Sequence, residues 1–151
     1  MIDGVKIKKL RVIPDERGRL MEILRADDPE FIKFGQVYMT TVHPGVVKAW
    51  HYHKKQIDNM AVVSGMAKIV LYDGRKDSPT HGDVQEFFIG EHNPILVQIP
   101  NGVHHGMKGV GEREAIIINT VSEPYDRRKP DEFRLDPHDK DIPYDWKLKE
   151  G

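Results

Sequence analysis

The chain has 151 residues and carries 23 Lys and Arg against 24 Asp and Glu, so its net charge of −1 at pH 7 gives no basic field for coating a nucleic acid. It has no cysteine, which excludes disulfides, thiol nucleophiles and cysteine-bound metal centres. The longest apolar runs, such as 115–118, are far too short to cross a bilayer, and the first ten residues lack a signal-peptide apolar stretch. We therefore expect a cytoplasmic protein without nucleic-acid or membrane partners.

Short runs rich in β-branched residues recur along most of the chain, separated by Gly, Pro and Asn turn signals. In chain order, the predicted strands cover 5–12, 20–24, 36–42, 49–53, 59–64, 67–72, 84–89, 95–99, 106–110 and 115–121. One short helix is predicted at 28–33, where Pro29 suits the first helical turn. Many short strands at near-regular spacing are typical of an antiparallel sandwich or barrel, so the expected fold class is all-β.

The composition changes at Ser122, after which the chain is rich in proline and charge. Apolar anchors recur along this stretch, namely Tyr125, Phe133, Leu135, Ile142, Tyr144 and Trp146. We therefore expect a single domain, with a barrel over 1–121 and an extended C-terminal extension over 122–151. The extension is predicted to pack on the barrel or on a second subunit.

Histidines cluster in two segments, at His51 and His53 and again at His104 and His105. His51 and His53 share one face of a strand because side chains alternate with period two, and a turn after them can return Asp58 to their side. One interpretation is a metal site made by His51, His53, Asp58 and His105, since imidazoles and a carboxylate suit a divalent transition metal. The alternative is a set of polar side chains that line a sugar pocket without metal.

These residues fall at the spacings of the two cupin motifs, and the chain resembles that superfamily. The matching positions are Gly45, His51, His53, Asp58 and Gly65 in the first motif, and Pro100, Gly102 and His105 in the second. The fold that this resemblance implies is a double-stranded β-helix, the cupin jelly roll.

A closer resemblance covers about 13–146 and points to the dTDP-4-dehydrorhamnose 3,5-epimerases and the related dTDP-sugar ketoisomerases. The matching segments include Asp15-Glu16-Arg17-Gly18, Gly45-Val46, His51-Tyr52, Ser78-Pro79-Thr80 and His105-Gly106-Met107. The resemblance implies that His51 is the general base, that Arg17 contacts the pyrophosphate and that Glu22 holds the nucleotide. It also implies a metal-free reaction with no cofactor, and a homodimer that exchanges an N-terminal strand.

The chain departs from the epimerase pattern at three positions, with Lys48 where that family has an arginine, Asp58 where it has a lysine and Asn119 where it has a tyrosine acid. The ketoisomerases instead use two histidines on one strand, which here correspond to His51 and His53. We therefore predict a catalytic set of His51, His53 and Tyr38. The predicted substrate-binding set is Arg17, Glu22, Gln36, Lys48, His105 and Asn119.

Three hypotheses about function follow from these motifs. The first is a nucleotide-sugar epimerase or isomerase that removes a proton next to the 4-keto group of a dTDP-4-keto-6-deoxyhexose, a reaction that a near-neutral imidazole suits. The second is a metal-dependent cupin, either a dioxygenase or a sugar isomerase. The third is a cupin that binds sugar without catalysis.

Overall fold

A computed structural model describes residues 1–149, and within that range the chain forms twelve β-strands and no helix, which confirms the predicted all-β class. None of these described residues therefore forms a helix long and apolar enough to cross a membrane. In chain order the strands are β1 (Lys6–Lys9), β2 (Val12–Asp15), β3 (Gly18–Met21), β4 (Gln36–Val42), β5 (Val47–Tyr52), β6 (Asp58–Ser64), β7 (Met66–Tyr72), β8 (Val84–Gly90), β9 (Ile95–Ile99), β10 (His104–Gly109), β11 (Ala115–Val121) and β12 (Phe133–Arg134).

Two five-stranded antiparallel sheets enclose the core. The first has the order β1-β9-β6-β11-β4, and the second has the order β12-β5-β10-β7-β8. Ile69 and Leu71 from the second sheet pack with Val97 and Ile117 from the first in one apolar cluster, so the sheets face each other as in a jelly roll. β2 and β3 form a separate hairpin outside both sheets.

The alternation of β11 shows how a polar side chain reaches the inside of this barrel. Buried and half-buried residues alternate along the strand, and Ala115, Ile117, Asn119 and Val121 all point inward. Asn119 thus occupies a position on the core face of its strand, at 1% exposure. An amide at such a position needs internal hydrogen-bond partners.

After Val121 the chain first pairs with the edge of the second sheet, and its last part packs on one face of that sheet against Trp50 and Val70. Residues 123–135, which we call the strap, end in β12, whose pairing with β5 places Phe133 opposite Tyr52 and Arg134 opposite His51. Farther along, Trp146 packs against Trp50 with ring centroids 5.0 Å apart. The extension therefore contacts the barrel of its own chain; a division into separate units at 121/122 stays a prediction.

Three local predictions differ from the structure. Residues 28–30 form a bend and a turn, and residues 31–33 have no regular structure, so the predicted helix is absent. Six residues hardly offset the cost of helix nucleation, and the Asp28 carboxylate accepts the Arg25 N–H at 2.7 Å in a turn. The predicted strand at 5–12 is broken after Lys9, and a new strand begins at Val12. The hairpin partner β3 begins earlier than the predicted strand at 20–24 and ends at Met21.

Candidate active site

A cavity of about 720 Å³ is lined on one side by residues of β4, β5 and β10 and on the other by the strap. The lining residues that carry its chemistry are Gln36, Tyr38, Lys48, His51, His53, Gln56, His105, Lys129, Asp131, Glu132 and Arg134. Six of the nine predicted catalytic and substrate-binding residues thus line one cavity. Its size suits a small organic ligand.

Strand register brings the three imidazoles together. His105 on β10 pairs directly with His51 on β5, and His53 follows two residues later. The ring centroids of His51 and His53 lie 6.1 Å and 5.5 Å from that of His105. As the alternation predicts, His105 lines the cavity, whereas His104 lies outside it between Tyr52 and Tyr72.

His105 is held neutral. Burial lowers the pKa of His105 to about 4, so its ring is uncharged at neutral pH. Its Nδ1 lies 3.3 Å from the backbone carbonyl oxygen of Val103, which can only accept a hydrogen bond. Nδ1 therefore carries the proton, and Nε2 presents a lone pair.

His53 has the same tautomer for a related reason. Its Nδ1 donates to the carbonyl oxygen of Asp131, and its Nε2 lies 3.2 Å from the amide nitrogen of Gln56. Gln56 Nε2 also donates to Asp58 Oδ1 at 3.0 Å. The amide of Gln56 thus links an imidazole lone pair to a buried carboxylate.

The strap positions this part of the site through one residue. The Asp131 carboxylate accepts the backbone N–H groups of Lys54, Lys55 and Gln56 at 2.9, 2.8 and 3.0 Å. Burial raises the pKa of Asp131, but these three donors outweigh it and lower the pKa overall. Asp131 therefore fixes both the turn that follows β5 and the ring of His53.

The buried carboxylate of Asp58 also lies behind Tyr38. Asp58 is 1% exposed, and its Oδ1 accepts the Asn119 amide at 2.8 Å. Asn119 Nδ2 also donates to the Tyr38 hydroxyl oxygen at 2.8 Å. Burial, and after it the charge of Asp58, raises the pKa of Tyr38 to about 12, so the phenol stays protonated at neutral pH.

His51 is the imidazole with the most open environment. Its pKa is lowered, chiefly by burial, while the nearby Glu132 carboxylate acts in the opposite direction and Arg134 adds to the lowering. Glu132 and Arg134 pair with each other at 2.9 Å. A neutral imidazole at the cavity wall is able to act as a base near pH 7.

Three predicted site residues lie outside the cavity lining. Asn119 lies behind Tyr38, and its amide contacts only protein groups among the described residues. Arg17 lies at the tip of the exposed β2–β3 hairpin, where it pairs with Asp15 at 2.5 Å. Glu22 pairs with Arg25 at 3.0 Å on the surface of the same protomer.

The strap residues Asp131, Glu132 and Arg134 were missed by sequence reasoning. They lie in a proline- and charge-rich stretch that resembles a solvated tail, and the two-residue strand β12 is too short to show alternation. The apolar anchor Phe133, which stacks on Tyr52 at 5.0 Å, was the available signal that this stretch docks beside His51.

The fold and the site together define a class of protein, the small cupin-type jelly roll with a cavity lined by imidazoles and a phenol. Residues 13–133 match the family described as polysaccharide biosynthesis C-terminal domain, and the chain belongs to this family. The predicted resemblance to cupin-fold dTDP-sugar epimerases is confirmed.

Relatives with high identity match the chain over nearly its full length. The spore coat polysaccharide biosynthesis protein SpsL of Bacillus subtilis is 43% identical over 97% of both chains. The probable low-salt glycan biosynthesis epimerase Agl13 of Haloferax volcanii is 41% identical over 95% of this chain and 89% of its own. The crystal structure of a dTDP sugar isomerase from Desulfovibrio desulfuricans superposes with a TM-score of 0.92 at 34% identity, covering 96% of this chain and 92% of its own.

Proposed function

We propose that this protein is a nucleotide-sugar epimerase or isomerase that acts on a dTDP-4-keto-6-deoxyhexose by removing a proton from a carbon next to the ketone. The observation that carries the proposal is the convergence of a neutral imidazole, His51, and a protonated phenol, Tyr38, on one cavity. Support comes from the relatives at 41% and 34% identity, which are named as a probable epimerase and an isomerase.

In the proposed mechanism, His51 is the base. Its lowered pKa keeps the ring unprotonated at neutral pH, so it can accept the carbon-bound proton. The electron pair of that C–H bond enters the new carbon–carbon double bond, and charge develops on the former ketone oxygen. A hydrogen bond from Tyr38 stabilises this oxygen. Epimerisation is completed when a proton from a water molecule in the cavity is added to the same carbon from the opposite face. If His51 instead delivers its proton to the former ketone carbon, and the proton of the adjacent hydroxyl passes to the former ketone oxygen, the carbonyl moves to the next carbon.

Cations at the rim of the cavity suit the diphosphate. Lys48, Lys129 and Arg134 all line it, and Lys48 is held in place by the Thr41 carbonyl oxygen at 2.6 Å. Met60 and Met107 supply an apolar wall that fits a deoxygenated sugar carbon. We assign Gln36, whose Oε1 accepts the Tyr125 N–H at 2.7 Å, to the positioning of the strap where the nucleotide would lie.

We further propose a homodimer in which the β2–β3 hairpin reaches the partner. The hairpin exposes Ile13 and Leu20 at 44% and 57%, and β4, the edge strand of the first sheet, exposes Val37 and Met39 at 54% and 62%. Unpaired edges and apolar patches of this kind favour association. Such a dimer would bring Arg17 and Glu22 to the partner's cavity. Sedimentation velocity tests it: Leu20→Asp should yield monomers, whereas a monomeric wild-type protein would rule the dimer out.

Proton NMR in deuterated water tests the reaction. With chelator present, the protein should exchange the proton on one carbon next to the ketone of a dTDP-4-keto-6-deoxyhexose, and the position that exchanges separates epimerase from isomerase. His51→Ala should abolish exchange. The matched control is His43→Ala, because His43 is exposed and lies outside the cavity. Binding of the nucleotide sugar without exchange would instead establish the non-catalytic sugar-binding hypothesis.

A metal-dependent form of the site is the second candidate. One ligand atom each from His53, Asp58 and His105 lies within 4.8 Å of the others, and both imidazoles have Nδ1 bound to a backbone carbonyl, an arrangement that suits metal ligation through Nε2. The fourth predicted ligand, His51, lies outside this group. A divalent cation held there would polarise the ketone oxygen. Plasma mass spectrometry of dialysed protein tests whether the site holds a metal. Stoichiometric metal in the wild type that is lost in Asp58→Asn would support the metal-dependent candidate. Proton exchange by metal-free protein in the presence of chelator would exclude it.

We propose a cytoplasmic location, because nucleotide sugars are built from nucleoside triphosphates, which cells hold in the cytoplasm. Fractionation of cells that express a tagged full-length chain tests this.

A further inference from the structure

The side-chain amide of Asn119 has a single permitted orientation. Its Oδ1 accepts the backbone N–H of Asn59 at 3.0 Å, so Nδ2 must face the opposite side. There Nδ2 donates to Asp58 Oδ1 and to the Tyr38 hydroxyl oxygen, both at 2.8 Å. A flipped amide would place its oxygen against the carboxylate and its nitrogen against an N–H donor. Three contacts therefore agree on one orientation.

This orientation dictates where the proton of Tyr38 points. The phenol oxygen uses a lone pair to accept the Asn119 N–H, so its own O–H must point away from Asn119. Tyr38 lines the cavity, and among residues 1–149 its hydroxyl donates to no protein acceptor. The O–H is thus presented to whatever occupies the cavity.

The pairing of β11 with its two neighbouring strands places Asn119 next to Tyr38 and Asp58. Asn119 on β11 lies directly opposite Tyr38 on β4, so their side chains project from the same face. Asp58 begins β6, the other neighbour of β11, and lies opposite Val121, two residues along β11 from Asn119. The amide is therefore clamped between two strands rather than carried on a loop.

We propose that Asn119 is a positioning residue that aims the Tyr38 O–H at the ketone oxygen of the substrate. The inference rests on the proposed function. As His51 takes the proton from carbon, the C–H pair becomes the carbon–carbon π bond and the carbonyl π pair moves onto oxygen. Tyr38 stabilises that oxygen by a hydrogen bond and keeps its own proton. Carboxylates that face the phenol, Asp58 from β6 and Glu132 from the strap, disfavour its ionisation and so preserve the donor.

A substrate-free experiment tests the contact directly. Tyr38 is replaced by a difluorotyrosine, whose phenol ionises at a pH where proteins stay folded, and its pKa is followed by fluorine NMR. Because the Asn119 N–H stabilises the phenolate, Asn119→Leu should raise this pKa. Asn93→Ala, which removes a distant amide hydrogen bond to Phe88, should leave it unchanged. An unchanged pKa in folded Asn119→Leu overturns the proposal. If that variant does not fold, Asn119→Ser, too short to bridge Asn59 and Tyr38, is used in the same way.

A double-mutant cycle tests the role in catalysis. Tyr38→Phe should lower kcat about 100-fold, as for loss of one oxyanion donor, and Asn119→Leu should lower it about 10-fold with KM little changed. In the Tyr38→Phe background, Asn119→Leu should have no further effect on kcat. A further loss of kcat there would show that Asn119 acts structurally and overturn the proposal. A wild-type protein without proton exchange would refute the proposed function alone, since the fluorine titration still decides whether Asn119 orients Tyr38.

Discussion

The Asp131 carboxylate holds the turn after β5 through three hydrogen bonds. Replacing this side chain should lower the free energy of unfolding, which can be measured without a substrate. Each bond joins a backbone N–H to a charged acceptor, but the N–H groups of Lys54 and Lys55 are exposed and regain water in the variant. The net loss for Asp131→Ala should be about 2 kcal/mol, and Asp131→Asn, which keeps an acceptor, should lose about half of that. For a chain of this size, a loss of about 2 kcal/mol lowers Tm by about 4–8 °C.

Urea unfolding followed by circular dichroism is the assay, with Asp136→Asn as the matched control. Asp136 lies in the same extension but accepts a single exposed N–H, from His138, at 2.7 Å, so its loss should cost under about 0.5 kcal/mol. The pKa of Asp131 is lower in the folded protein than the ordinary aspartate value of 3.8, so its stabilisation is complete above that pH. The gap between wild type and Asp131→Asn should close as the pH falls through the folded pKa. If Asp131→Ala were as stable as the Asp136 control, the strap would not be anchored as described.

Three further predictions concern activity and packing. The rate should fall on the acid side as His51 becomes protonated, with a midpoint below the ordinary imidazole pKa of 6.5 because burial lowers the folded value; a midpoint above 6.5 in the pH profile would contradict the assignment of His51. Trp146→Ala should destabilise the protein by about 3–5 kcal/mol, since Trp146 is 2% exposed against Trp50, and calorimetry that shows a loss under about 1 kcal/mol would mean that the extension does not dock in solution. Gly106→Ala should also destabilise, because its Cβ would lie 2.4 Å from that of Ala49 and 2.9 Å from the Trp146 ring; an unchanged urea midpoint would refute this packing.

The histidine cluster was predictable because it depends on local rules. Side-chain alternation places His51 and His53 on one face, and it separates His105 from His104. The partner strands were predicted within a few residues, and their antiparallel pairing brought His105 opposite His51. The part of the site that lies on long barrel strands is therefore encoded in short-range pattern.

The strap was not predictable in this way because its contacts are distant in sequence. The Asp131 carbonyl oxygen bonds to His53, which lies 78 residues earlier in the chain, and no sequence pattern within residues 122–135 predicts that contact. Although a proline argues against a strand, Pro14 lies in β2, outside both main sheets, where a missing N–H is tolerated. Asn119 was predicted to bind substrate, and that role stays a prediction; its amide contacts Asn59, Tyr38 and Asp58, which lie far from it in sequence.

The two walls of the cavity differ in how freely they can be altered by directed evolution. On the barrel side, β10 carries His105 beside Met107 of the main apolar core, so replacements there disturb packing far from the ligand. On the strap, Glu123, Asp126 and Lys129 line the cavity while the chain is held in place by Asp131 and by the pairing of β12. A mutant library that aims to change which sugars the protein accepts should vary these three strap positions and retain Asp131 and Phe133, so that the proposed proton-transfer groups stay unchanged.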